Sequence, residues 1–431
     1  MSQLLNREHN TDDKTPLQQP LSRRAFIAGS TSLAAGALVG GALAGCSSSS
    51  STADTTTTDS SLNSTADSND VPVLMVDSSE ILSFEDFEQL DATDRYTVAH
   101  TYTLPLGSMV WRASEGLAVV MGIGETSSPL SQVKMLDLDT GSLTTIISQA
   151  IGVADGYELY DVRASSSTIA WTEYDYATAD WRLYAATLNS TATGIGDAYK
   201  LDEGDENWDT PLICVAEDQV YWTRLPYENG LYTSGSSYLR KSDARGSDVT
   251  DVYTSQGRLI TIPQYSEGVV TFVPRLASSN VYYQMTAMNT STDEIVLQAT
   301  LPSGVKVMDA IYMQGAFSFC VEANYDSTSA IATMGTYRNL TSGDYFQMNR
   351  TPSCTPAICG GKFIVKLGKS TAVVDIANKQ YYTIAAPAYS WSYGDYLASS
   401  GVCDSLVVYS TVDTASDVSS AYVQLRVLTL N

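Results

Sequence analysis

Thr168-Ile169-Ala170-Trp171-Thr172-Glu173-Tyr174-Asp175-Tyr176-Ala177-Thr178-Ala179-Asp180-Trp181-Arg182-Leu183-Tyr184-Ala185-Ala186-Thr187-Leu188 is the stretch from which the fold is read. Ile169 and Trp171 alternate with Ala170 and Thr172, and after a polar turn Trp181 and Leu183 alternate with Arg182 and Tyr184. A period of two on both sides of a turn describes two antiparallel strands. Such a hairpin cannot bury its apolar face alone.

Related stretches recur along the chain. The strand beginning at Thr168 has counterparts beginning at Gly116, Gln219, Gly268, Ala316, Lys362 and Ser405, with successive starts 52, 51, 49, 48, 46 and 43 residues apart. Short turns such as Ser114-Glu115-Gly116 and Gly360-Gly361-Lys362 precede these strands, and another short run precedes most of the turns. A third strand follows, often with a polar turn into a fourth, clearest across Leu136-Asp137-Leu138-Asp139-Thr140-Gly141. Four strands at a period near 50 residues predict an all-β chain built as a seven-bladed β-propeller of four-stranded antiparallel blades. The last unit, residues 396–431, supplies only three strands. The missing one is expected from the N-terminal run 95–104, which would close the ring and remove an exposed sheet edge.

Composition agrees with strands. Among 431 residues there are 27 Tyr and 29 Gly, a usage that favours sheets and turns over helices. The net charge of −24 excludes nucleic acid as a partner, because phosphate binding needs surface Lys and Arg. It favours solubility and permits a cationic ligand. Only His9 and His100 are present, which removes Ser-His-Asp and Cys-His nucleophile schemes and His-rich metal sites.

The N-terminus reads as an address. Ser22-Arg23-Arg24-Ala25-Phe26-Ile27 resembles the twin-arginine export motif, an apolar run 28–44 follows, and Leu43-Ala44-Gly45-Cys46 resembles a lipobox. The resemblance to twin-arginine-exported lipoproteins implies a signal peptide over 1–45, lipidation of Cys46, and a chain held by acyl groups at the extracytoplasmic face of a membrane. Residues 46–70, rich in Ser and Thr, read as a disordered tether. In the lead-in 71–93, Ile81, Phe84, Phe87 and Leu90 are spaced by three, and Asp77 with Glu80 form a potential capping box. This predicts one short amphipathic helix packed on the outside or base of the domain, or plugging its channel. The domain proper is expected over 94–431.

With Cys46 lipidated, Cys214, Cys320, Cys354, Cys359 and Cys403 remain, an odd number. Cys354 and Cys359 are near enough in sequence to bridge; buried thiols are the default for most of the rest. The repeat region is similar to the broad seven-bladed propeller group, with its TolB-like and quinoprotein-like members, whose blades carry turns like Asp137–Gly141. The Trp-Asp, sialidase, kelch and quinone signatures of named subfamilies are missing.

In such a fold the loops joining second to third strands, and fourth strands to the next first strand, emerge at one end. Those loops carry Tyr174, Asp175, Tyr176, Tyr227, Glu228, Trp208, Asp209, Trp391, Tyr393 and Asp395, with Tyr325-Asp326 among them, so one face is expected to be aromatic and acidic. Aromatics offer rigid contact area and carboxylates offer acceptors, which suits an envelope protein, a peptide or a glycan. Asp202, Glu203, Asp205, Glu206 and Asp209 could also supply oxygens to Ca²⁺, though not at EF-hand spacing; no other cofactor is expected. Trp171 and Trp181 are expected to pack between blades. The sequence therefore predicts a non-catalytic binding or scaffold lipoprotein; the alternative is a carbohydrate-active hydrolase or lyase using channel carboxylates, with Asp161 and Asp395 the residues to replace.

Overall fold

The computed structural model describes residues 73–431, apart from 124–130, 229–230, 233–234, 277–279, 323, 325–327, 350–353 and 415–416. The leader, Cys46 and the tether therefore lie outside the described residues, as does Tyr325-Asp326. No helix among the described residues is long and apolar enough to cross a membrane.

Among the described residues the strands form seven hydrogen-bonded sheets, which follow one another in the chain. The first comprises Met109–Ser114, Leu117–Ile123, Ser131–Asp137 and Leu143–Ile147, and the second Glu158–Ala164, Thr168–Tyr174, Trp181–Thr187 and Tyr199–Gly204. The third is built on Ile213–Ala216, Gln219–Glu228, Ser237–Asp243 and Thr250–Ser255, and the fourth on Gln264–Ser266, Val269–Phe272, Gln284–Asn289 and Ile295–Thr300. The fifth contains Val307–Met313, Ala316–Val321, Gly335–Asn339 and Tyr345–Met348, and the sixth Ala357–Cys359, Lys362–Leu367, Ser370–Asp375 and Gln380–Ile384. In the seventh, Tyr396–Leu397, Leu406–Thr414 and Asp417–Leu430 are joined by the N-terminal strand Tyr96–Leu104. That strand runs antiparallel to the chain's last, Tyr96 opposite Leu430 and Leu104 opposite Val423.

Apolar clusters between neighbouring sheets hold the ring. Val162 and Trp171 of the second sheet meet Val119 and Met135 of the first, and Trp181 and Leu183 meet Ile213 and Trp222 of the third. Further clusters join third to fourth, fourth to fifth, fifth to sixth and sixth to seventh. The circle closes where Val407 and Leu425 of the seventh pack on Val120 and Leu136 of the first. Second strands are thus covered on both faces: six of the seven residues of Thr168–Tyr174 are buried, and Glu173 among them accepts from the Ile151 and Gly152 amides at 2.6 and 2.9 Å. Outermost strands such as Tyr96–Leu104 are largely exposed, and His100 stacks on Tyr102 there. The architecture is an all-β propeller of small antiparallel sheets.

The lead-in departs from the expected helix. It contains two 3₁₀ turns, Ser78–Glu80 and Phe84–Asp86, each followed by a short strand. Ile81–Ser83 pairs parallel with the outer strand of the fifth sheet, and Glu88–Gln89 does so with that of the sixth. Before them, Val73 bridges to Thr300 at the edge of the fourth. The segment is a belt around the outer rim and not a channel plug. The Asp77–Glu80 capping box is present, but it caps a 3₁₀ turn. A spacing of three matches the 3.0 residues per turn of that helix better than 3.6, and Phe84 and Phe87 do reach the core, against Phe346.

Candidate functional site

Antiparallel order places the loops after second strands and after fourth strands at one end of the ring. Most of the carboxylates expected to line this loop face are occupied by the protein itself. Asp395 is fully buried and ion-paired with Arg426, while Lys366 donates to the carbonyls of Tyr393 and Asp395. Burial outweighs the Arg426 charge and raises the Asp395 pKa. Asp209 is buried in an ion pair with Arg258. Asp175 shapes its own turn, accepting from the Ala177 amide at 2.8 Å and the Thr178 hydroxyl at 3.0 Å, and the Ala177 bond first among these holds its pKa below the usual range.

The expected calcium ligands do not converge. Asp202 accepts from the Trp222 indole at 2.8 Å and pairs with Arg224 and Arg240, Glu203 pairs with Lys200 at 2.6 Å, and Asp205 accepts from the Asn207 amide at 3.0 Å. Glu206 is exposed. Among the described residues no group of three or more acidic, His or Cys side chains could hold a metal ion.

The aromatic residues divide. Trp208 lies half-buried under the Arg224 guanidinium, 4.1 Å from its centroid, and its carbonyl accepts from the Trp181 indole at 2.9 Å. Tyr174 is wedged between Tyr160 and Tyr176, with centroids 5.2 and 5.0 Å away. Tyr227 is half-buried and stands opposite Tyr232; the Glu228 side chain lies outside the description. Tyr176, Trp391 and Tyr393 are open to solvent at 50%, 40% and 55%. The Trp391 indole donates to Asp413 at 2.7 Å, which fixes the ring without covering it.

These three side chains do not stand alone, and no motif in the sequence marks their neighbours. Leu106, Ile123, Ile151, Val153 and Tyr389 are also exposed, and all belong to loops or strand ends at this same end of the seventh, first and second sheets. A Cβ on Gly107 would come within 3.4 Å of Ile123, so the Leu106 loop and Ile123 adjoin. Around the remaining sheets the large apolar side chains exposed at this end, among the described residues, are Met334 and Met75, the latter in the lead-in beside Thr300 and Ser329. The face is thus asymmetric, apolar over three adjoining sheets.

A second feature lies inside the ring. The innermost strands enclose a cavity of about 320 Å³ whose wall includes Trp111, Arg112, Arg163, Gln264, Thr355 and Tyr396. Arg163 sits 4.4 Å over the Trp111 ring and pairs with Asp161, so the Asp161 carboxylate is buried and neutralised. Behind the wall, Gln264 donates to Thr355 at 3.0 Å and to Asp309 at 3.4 Å. The other Asp309 oxygen is buried with no hydrogen-bond partner among the described residues, and burial pushes the pKa up to about 6. One signal in the sequence marked it: Asp309 interrupts the apolar run Val307-Met308-Asp309-Ala310-Ile311.

At the end opposite the loop face, residues 398–403 leave the seventh sheet and cross the channel. Gly401–Cys403 adds as a parallel strand to the inner edge of the sixth sheet, and the Val402 amide donates to Ser266 of the fourth at 3.1 Å. Arg112 braces the crossing: its amide donates to the Ala398 carbonyl at 3.0 Å and its guanidinium to Ser399 at 3.4 Å and Ser405 at 3.1 Å. Gly401, at φ +74°, is required here because a Cβ would lie 2.9 Å from the Ser266 hydroxyl.

No family model matches the chain, and no curated protein matches it. Solved structures similar to it include a puromycin hydrolase S511A mutant complexed with PGG, at 12% identity and TM-score 0.48, covering 73% of this chain and 51% of that one. Another is the oligogalacturonate lyase of Vibrio parahaemolyticus, at 10% identity and TM-score 0.46, covering 77% and 97%. A third is the β-propeller domain of the Trilobed protease from Pyrococcus furiosus, at 12% identity and TM-score 0.38, covering 60% and 79%. The chain spans about half the length of the puromycin hydrolases it matches. No residue role passes to this chain from likeness at this level.

Proposed function

We propose that the seven sheets are the blades of one propeller ring, exported by the twin-arginine route, anchored through Cys46 at the extracytoplasmic membrane face, and acting as a non-catalytic scaffold that binds an envelope protein. One observation carries the choice of a protein over a glycan. The loop carboxylates that would accept sugar hydroxyls are tied up internally, while Leu106, Ile123, Ile151 and Val153 stand exposed beside Tyr176, Trp391 and Tyr393. Mixed aliphatic and aromatic surface of this kind is what protein partners desolvate.

The test uses full-length protein in its native envelope. Chemical crosslinking should capture a defined protein with wild type, and the paired Trp391→Ala and Tyr393→Ala variant should reduce capture at least about tenfold, the loss of one strong interface anchor. Tyr199→Ala, on the outer rim away from this face, should leave capture intact. Equal capture by all three, or saturable glycan binding without a protein partner, defeats the proposal. Loss of radiolabelled acyl incorporation in Cys46→Ser tests the anchor.

The hydrolase reading retains one supporting observation, the Asp309 carboxyl, whose pKa is raised by burial and whose Oδ2 has no hydrogen-bond partner among the described residues. A raised carboxyl suits a general acid. Glycoside hydrolysis needs a second free carboxylate nearby, and Glu115 at the cavity wall is engaged by Arg112. Turnover on a polysaccharide panel, abolished by Asp309→Asn, would replace the binding proposal with this one.

A further inference from the structure

Cys403 and Cys359 face one another where the channel-crossing segment joins the sixth sheet. They are register partners in the parallel pairing of Gly401–Cys403 with Ala357–Cys359. Adjacent strands lie about 4.8 Å apart, inside the range of about 4.4 to 6.8 Å that Cα atoms of a disulfide span. The alternative read from sequence, Cys354 with Cys359, is not what the fold brings together. The Cys354 sulfur instead accepts from the Leu397 amide at 3.3 Å.

We infer that Cys359 and Cys403 form a disulfide that locks the channel-crossing segment 398–403 to the sixth sheet. The two thiols have unequal access, which fixes the order of events. Cys359 is fully buried, whereas Cys403 is 6% exposed, lines the central cavity and follows Val402, which is 37% exposed. A small oxidant entering the cavity therefore meets Cys403 first. The Cys359 thiol donates to the Asp404 carbonyl at 3.5 Å, and Cys359, ahead of the nearby Arg112 charge, holds the Cys403 pKa down while that of Cys359 is pushed up. Thiolate is the attacking form.

The co-reactant is a low-molecular-weight disulfide. The Cys403 thiolate attacks one of its sulfurs, forming a mixed disulfide and expelling one thiolate. Cys359 then loses its proton, attacks the Cys403 sulfur and expels the second thiolate. Two protein thiols become one disulfide while the small disulfide is reduced to two thiols. Because the crossing segment also bonds to the fourth sheet through Ser266, the link ties the seventh, sixth and fourth sheets together at the end away from the loop face.

The experiment takes reduced full-length protein, treats it with oxidised glutathione, quenches with acid, alkylates and digests with trypsin without reduction. Cleavage after Arg350, Lys362, Lys379 and Arg426 places Cys354 and Cys359 in peptide 351–362 and Cys403 in peptide 380–426. The expected product links these two peptides, and Cys354→Ser leaves the link in place. A bridge confined to peptide 351–362, or complete alkylation of Cys359 and Cys403, overturns the inference. In Cys359→Ala, Cys403 should stop at the glutathione adduct on peptide 380–426; a variant carrying no adduct there overturns the order of attack. Oxidation should also raise Tm in wild type and not in Cys359→Ala. None of these readouts depends on the identity of a bound partner.

Discussion

Replacing Asp395 separates a structural carboxylate from a ligand-binding one. Its Oδ2 is paired with Arg426 Nη2, Asp395 is fully buried, Arg426 is 8% exposed, and Lys366 at 3% exposure lies against the Tyr393 and Asp395 carbonyls. Asp395→Asn keeps the volume and removes the charge, leaving one guanidinium and one ammonium in a nearly dry site. Breaking a buried pair from one side costs about 3 to 5 kcal/mol. The raised Asp395 pKa shows that its burial is not fully offset by Arg426, so the pair itself adds little net stability. Asp395→Asn combined with Arg426→Met should therefore cost clearly less than the single change, and the double-mutant cycle should give a coupling of at least about 2 kcal/mol. Urea unfolding followed by tryptophan fluorescence measures both. A single variant within about 1 kcal/mol of wild type, with additive behaviour in the double, would refute the reasoning and return Asp395 to the list of ligand contacts.

Three further outcomes follow from the geometry. Asp309, with a folded pKa of about 6 against an ordinary carboxyl value of about 3.9, contributes stability that is complete below about pH 4 and lost as pH rises through 6. Asp309→Asn should match wild type at pH 4 and exceed it by up to about 3 kcal/mol at pH 8, and a pH-independent difference by urea unfolding would contradict this. Phe84→Ala should cost about 3 kcal/mol, because Phe84 lies 4.4 Å from Tyr381 and edge-on to Phe346; a negligible change in urea midpoint would mean that the belt does not hold the rim. Gly401→Ala should cost about 1 to 3 kcal/mol and speed alkylation of Cys403 in the folded state, since the new methyl meets Ser266; an unchanged Tm and alkylation rate would count against the crossing geometry.

The second strands were legible because they are covered on both faces, which writes near-continuous apolar runs such as Val269–Phe272 and Ala316–Val321 into the chain. The closing strand was legible for a different reason: a three-stranded last unit leaves an edge, and Tyr96–Leu104 fills it. In the lead-in the periodicity correctly marked Phe84 and Phe87 as buried but did not distinguish an α-helix from 3₁₀ turns joined by short strands. The candidate site was less legible. Tyr176, Trp391 and Tyr393 are exposed as the loop reading required, whereas Asp209 and Asp395 are claimed by arginines 49 and 31 residues away.

Alternation, turn residues and repeat spacing are local properties, and by themselves they determined that this chain builds successive antiparallel sheets of about four strands. Which side chains remain free is decided by groups brought together from distant positions. Only the tertiary structure set Arg258 on Asp209, turned Trp171 and Trp181 into opposite inter-sheet clusters, and placed Cys359 beside Cys403. For Thr168–Leu188 the division falls inside one hairpin: its strands follow from its own residues, while the exposure of Tyr176 at the turn depends on neighbours the stretch does not contain.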